Sequence, residues 1–161
     1  MWRRWCVLAI VVIGGCGPDR PTAGDGTASV LRVVDGDTID VRIAGRDERV
    51  RLIGIDTPES VQPDAPVECY GPEASAFTRG LLPEGTVVRL ERDVVGRDDY
   101  GRLLAYVRRA SDGLFVNERI VRDGYARPLT IPPNDAYAVA FVAAATAAEA
   151  QGSGLWTACA G

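Results

Sequence analysis

Between Val30 and Ile55 the chain passes through short stretches in which apolar residues recur at every second position, broken by two tight turns. Few folds accept that pattern. Thr38 to Ala44 puts Ile39, Val41 and Ile43 on one face and Thr38, Asp40 and Arg42 on the other, the alternation of a half-buried strand. Ala28 to Val34, rich in β-branched residues, reads as the strand before it, and Asp35-Gly36-Asp37-Thr38 as the turn between them. Ala44-Gly45-Arg46-Asp47 turns the chain again into a third strand, Glu48 to Ile55. There Val50 and Leu52 share the core face, which sends Arg49 and Arg51 to the opposite one. A three-strand meander of this kind has open edges and needs a covering layer or closure into a barrel.

The rest of the chain supplies that cover. Ser60 to Glu68 contains Pro63 and Pro66 and reads as a surface loop. Pro72 suits the first turn of a helix, Glu73 to Leu82, which Pro83 stops. Thr86 to Arg92 and Arg102 to Ala110 read as a fourth and fifth strand around the charged loop Asp93 to Tyr100. Val116 to Asp123 forms a short helix closed by Gly124. Arg127 to Pro133 is extended, and Asn134 is placed to cap a last helix, Asp135 to Gln151. Five strands and three helices, in the order βββαββαα, predict an α+β domain.

The N-terminus reads as a targeting segment: Arg3 and Arg4 precede an apolar run from Trp5 to Ile13, and small residues follow. That run is far short of the roughly 20 residues a membrane-spanning helix needs. Ile13-Gly14-Gly15-Cys16 also resembles a bacterial lipobox, which would make Cys16 a lipidated N-terminus holding the protein to the outer side of a membrane; the other reading is an ordinary signal cut near Gly15 or Gly17. Residues 1–15 are thus expected to be a signal, 16–27 a flexible tether rich in Pro, Gly and Asp, and 28–161 the domain. In an exported protein the remaining cysteines, Cys69 and Cys159, are expected to pair as a disulfide.

The chain has no histidine, and all 18 of its basic residues are arginine. This excludes His-based catalysis and His metal sites, and every cation is permanently charged. Without Arg3 and Arg4, 16 arginines face 22 acids, a net charge of −6. Such a surface suits a general nucleic-acid coat protein poorly, because that binding rests on neutralising phosphate. It leaves room for a local arginine site with a cation in an acidic pocket.

Asp37, Asp56 and Glu59 lie with Arg51 in one short stretch, where a domain has no structural need for them. Hard carboxylate oxygens suit Ca²⁺ or Mg²⁺, and an arginine on a neighbouring strand suits a bidentate grip on phosphate. Either acidic turn alone is an ordinary turn. Together they point to metal-assisted attack on a phosphodiester.

From Val30 to Trp156 the chain resembles the thermonuclease (staphylococcal nuclease-like) family, through DGDT, VRLIGIDTPE, the run Tyr70-Gly71-Pro72-Glu73-Ala74-Ser75-Ala76-Phe77, and Asp99-Tyr100-Gly101-Arg102 followed by Leu104-Ala105-Tyr106. The resemblance implies a five-stranded OB-fold barrel with packed helices. It implies that Asp37, Asp56 and the carbonyl oxygen of Thr57 hold one Ca²⁺, that Glu59 orients the attacking water, and that Arg51 and Arg102 stabilise the phosphate. Tyr100 would contact the nucleotide. It further implies hydrolysis of DNA and RNA at the 5′ oxygen, leaving 3′-phosphate ends. No sequence feature demands oligomerisation, and a monomer is expected.

Departures from the family pattern lie in the outer shell. Lysines of the loop before the first helix are replaced by Val61, Gln62, Asp64 and Ala65, and Asp99 stands where a lysine precedes the YGR element. Leu129, Thr130, Ile131 and Pro132 stand where aromatic residues contact the base. This predicts a weak grip on the nucleotide with the central chemistry retained. The reading from a different class is a non-catalytic OB-fold module, a surface lipoprotein binding a ligand or partner.

Overall fold

The computed structural model describes residues 26–60 and 66–160. The expected signal segment, Cys16 and nearly all of the tether lie outside the described residues, as do Val61, Gln62, Asp64 and Ala65. Strands β1 (Thr27–Asp35), β2 (Thr38–Ile43) and β3 (Arg46–Leu52) form the meander. A short β4 (Gly54–Asp56) leads towards helix α1 (Gly71–Leu81). Then come β5 (Val87–Glu91), β6 (Leu103–Arg109), α2 (Val116–Arg122), β7 (Arg127–Leu129), α3 (Ala138–Ala150) and a single turn, α4 (Leu155–Ala158).

The five long strands close into a barrel in the order β1-β2-β3-β6-β5. Closure removes the open edges of the meander. All pairings are antiparallel except β3 with β6, which run parallel with Arg51 opposite Leu104. The alternating residues fill the barrel as expected: Val30, Ile39, Val41, Val50, Leu52, Val88 and Val107 are all fully buried. The fold is therefore the α+β, OB-type barrel, with four helices among the described residues and an extra two-stranded ladder, β4 with β7.

Two expectations are corrected. The third strand does not run unbroken to Ile55. It stops at Leu52, and the chain bends at Gly54, whose φ is +80°. A β-carbon there would collide with the Phe141 ring, so the bend needs glycine both for its backbone and for space. The buried side chain of Asn117 secures this bend: its amide donates to the Ile53 carbonyl at 2.9 Å and its oxygen accepts from Val107 N–H at 2.9 Å. Second, Asn134 caps no helix. Its side chain pairs with the backbone of Val95 in both directions, at 2.8 and 2.9 Å, and α3 begins only at Ala138. Thr27, the last residue of the expected tether, already pairs with Arg89 of β5.

The Cys69–Cys159 disulfide is present and ties the start of α1 to the end of α4 across 90 residues. Outside the barrel, Tyr106, Phe115, Tyr137 and Phe141 interlock with centroids 4.6–6.1 Å apart and bind α2 and α3 to β6. No helix among the described residues is long and apolar enough to cross a membrane.

Candidate active site

The barrel's register assembles the site. Thr38 pairs with Arg51 across β2 and β3, so Asp37 arrives beside the Arg51 side chain. The bend at Gly54 then brings Asp56 and Thr57 back over the same turn. Arg51 bridges the two acids, with Nη1 2.7 Å from Asp37 Oδ2 and Nη2 2.9 Å from Asp56 Oδ1. Asp37 Oδ2 also accepts from the Thr57 backbone N–H at 2.9 Å and from its hydroxyl at 3.0 Å. Gly36 is required here for a close approach: a β-carbon would lie 2.6 Å from Thr57 Oγ1.

Helix α1 fixes the turn from behind. Thr78 donates to the Gly36 carbonyl at 2.6 Å, and Ser75 donates to Asp35 Oδ1 at 2.7 Å. Ser60 donates to the same oxygen at 2.5 Å. The Glu59 carboxyl is hydrogen-bonded to Asp35 as well. Burial would raise the proton affinity of Asp35, but the bonds with Glu59, Ser60 and Ser75 outweigh it and hold the carboxyl below its usual range. Asp37 behaves in the opposite way. Its burial outweighs the charge of Arg51 and the bonds from Thr57, and pushes its pKa up.

The facing wall carries Tyr100 and Arg102, delivered by the loop before β6. Asp98 organises that loop. It accepts from the backbone N–H groups of Tyr100 and Arg102 at 3.1 and 2.9 Å, and from Arg102 Nε at 2.7 Å. The Arg102 guanidinium lies 5.5 Å from the Tyr100 ring centre.

Asp37, Arg51, Asp56, Thr57, Glu59, Tyr100 and Arg102 all line one open cleft of about 940 Å³. Every residue predicted for the site therefore reaches the same space, though Arg102 is bonded to Asp98 and not to the acidic cluster. Sequence reasoning missed Asp35, Ser60, Ser75 and Asp98. A signal existed for Asp98, which stands four residues before Arg102, the spacing of a local ion pair.

Among the described residues no three Asp, Glu, Cys or His side chains gather at one point. A cation would have two carboxylates, Asp37 and Asp56, with the Thr57 carbonyl and water. The electrostatics fit one nonetheless. Seven acids line the cleft, Asp35, Asp37, Asp40, Asp47, Glu48, Asp56 and Glu59, against four arginines, Arg32, Arg49, Arg51 and Arg102, so the site is short of positive charge.

A family model described as "Staphylococcal nuclease homologue" matches residues 49–158. A thermonuclease of Staphylococcus intermedius is 43% identical over 153 residues, covering 93% of this chain and 89% of its own. A thermonuclease of Staphylococcus hyicus is 42% identical over 135 residues, covering 81% and 78%. An SPbeta prophage-derived endonuclease of Bacillus subtilis is 39% identical over 128 residues, which span 78% of this chain but 42% of that protein.

Proposed function

This chain belongs to the staphylococcal nuclease family, and from that premise we propose that it is a Ca²⁺-dependent nuclease hydrolysing phosphodiester bonds of DNA and RNA. The observation that carries the reading is the Asp37–Arg51–Asp56 bridge with Glu59, Tyr100 and Arg102 on the same cleft. A binding module has no use for that full set.

Asp37, Asp56 and the Thr57 carbonyl oxygen would hold one Ca²⁺, whose chemistry is to neutralise a phosphate oxygen. Arg51 spans two carboxylates and can exchange one of them for a phosphate oxygen while keeping the other as its anchor. Its planar fork suits such a bidentate exchange. Arg102 approaches from the facing wall and stabilises the charge that builds on the phosphoryl oxygens. Glu59, ionised once it gives up its bond to Asp35, orients a water and takes its proton as the oxygen attacks phosphorus. The bond from phosphorus to the 5′ oxygen breaks, the 5′ oxygen takes a proton from solvent, and the phosphate stays on the 3′ end. Tyr100 flanks the sugar or base.

Export completes the reading: residues 1–15 act as the signal, Cys16 carries a lipid, and the domain works as a monomer outside the cytoplasmic membrane. The mass of the mature protein recovered from membranes tests this, and an unmodified or missing Cys16 ends the lipid anchor. A plasmid-nicking assay with Ca²⁺ and with chelator tests the activity. Nicking with Ca²⁺ and none with chelator is the expected result. No nicking under either condition would leave the OB-fold binding module as the reading.

A further inference from the structure

The backbone of Glu59 is gripped by the segment that leads into α1. Glu59 N–H donates to Glu68 Oε2 at 3.1 Å, and Glu68 N–H donates back to the Glu59 carbonyl at 2.9 Å. The two residues are nine apart, so this two-way bond closes the intervening loop at its neck. The grip continues beyond Glu68. Gly71 N–H donates to the Glu68 carbonyl at 3.0 Å. Gly71 lies so close that a β-carbon there would stand 2.5 Å from the Glu59 carbonyl oxygen. Between them, Cys69 is bonded to Cys159, which holds the gripping segment against the end of α4.

Glu68 is itself exposed, as are its neighbours Val67 and Cys69. An exposed carboxylate spent on a backbone N–H contributes little to the core. Its effect is local: it fixes the peptide from which the Glu59 side chain projects, while Pro58 restricts the backbone on the other side. We propose that Glu68 is a positioning residue that sets the direction of the Glu59 carboxylate in the cleft. The proposal rests on the reading of Glu59 as the water-orienting group.

The test is a set of variants, Glu68→Ala, Glu68→Gln and Gly71→Ala, each made in the native chain and in Glu59→Gln. Turnover and KM are measured on a short DNA oligonucleotide with Ca²⁺, and residual rates by single turnover with enzyme in excess. Misplacing a catalytic group by a fraction of an ångström lowers rate steeply, so Glu68→Ala is expected to lower kcat about tenfold with KM changed by less than about twofold. Glu68→Gln keeps an oxygen that accepts the Glu59 N–H and should stay within about threefold of the native rate. Gly71→Ala intrudes on the same carbonyl while leaving the Glu68 side chain unaltered, and should lower kcat in the native chain.

In Glu59→Gln, where no base remains to be aimed, Glu68→Ala and Gly71→Ala should each cost less than about twofold more. The proposal is overturned if Glu68→Ala leaves kcat unchanged, if its loss falls on KM, if Gln loses as much as Ala, or if the loss is equal in both backgrounds. The reading beneath it fails separately, if Glu59→Gln alone turns over at the native rate.

Discussion

The two walls of the cleft are built by different means. The acidic wall is set in the core: Asp37 and Thr57 are buried, and α1 holds the turn through the buried hydroxyls of Ser75 and Thr78. The facing wall is a surface loop. Tyr100 is 87% exposed, and the loop's order comes from Asp98 within it and from Arg97, which donates to the Gly101 carbonyl at 2.6 Å and pairs with Glu48 of β3. Further along the same side, Leu129 and Ile131 present aliphatic groups to solvent. The difference teaches that the chemistry and the grip on substrate are separately held. The loop wall can change its residues without disturbing the barrel, and on the acidic wall the buried Asp37 and Thr57 cannot.

The largest effect should come from the inner wall. Glu59→Gln is expected to lower kcat by about 10³ with Tm unchanged, within the usual range for loss of a general base. Measured turnover and a thermal melt check it, and a melting shift as large as the rate effect would break the separation. Arg102→Ala on the outer wall should lower kcat about a hundredfold, again without loss of fold, since removing one charge stabiliser typically has that scale. Asp98→Asn sharpens the contrast further. It keeps Arg102 but weakens its alignment, so kcat should fall only about tenfold.

Asn117→Ala should behave in the reverse way. It orphans the buried Ile53 carbonyl and Val107 N–H, so about 2 kcal/mol of stability should be lost. Denaturant unfolding measures it, and activity per folded molecule should change less than for any site variant.

The smallest expected effect is one of pH. Burial would raise the Asp98 carboxyl, but bonds from Arg102 and from the backbone of Arg102 and Tyr100 hold it below its ordinary value of 3.8. A depressed acid contributes stability above its unfolded pKa and loses it as pH falls through the folded one. The Tm gap between the native chain and Asp98→Asn should therefore shrink on acidification below about 3.8. A gap independent of pH would show that the ionised carboxylate does not order the loop.

The inner wall was largely legible in the sequence, and the outer wall less so. Alternation at Ile39, Val41, Val50 and Leu52 fixes which way Arg51 points, because strand period leaves no choice. Pro72 and Pro83 bound α1 in sequence as they do in the fold. The break after Leu52 left one mark, the adjacent apolar pair Leu52-Ile53 that shifts the alternation by a residue, but the apolar run to Ile55 still reads as strand. What demands glycine at the bend is Phe141, far along the chain and unseen by local pattern. Asn134 misled for a similar reason. Asn before a helical run suits a cap, and only tertiary packing sends its amide to Val95 instead. Glu68 left no signal, because an exposed glutamate in a Pro-interrupted loop looks like any solvated residue.

The Cys69–Cys159 bond makes a covalent ring of everything from α1 to α4, and the site is split across its border. Asp37, Arg51, Asp56 and Glu59 precede the ring, while Tyr100 and Arg102 lie inside it. A protease cut anywhere within the ring leaves one molecule under non-reducing electrophoresis. A cut between 60 and 68 instead yields two pieces, one bearing the acids and the other the second arginine, with no covalent link between them and held by strand pairing, core packing and side-chain bonds such as Asn117 to Ile53.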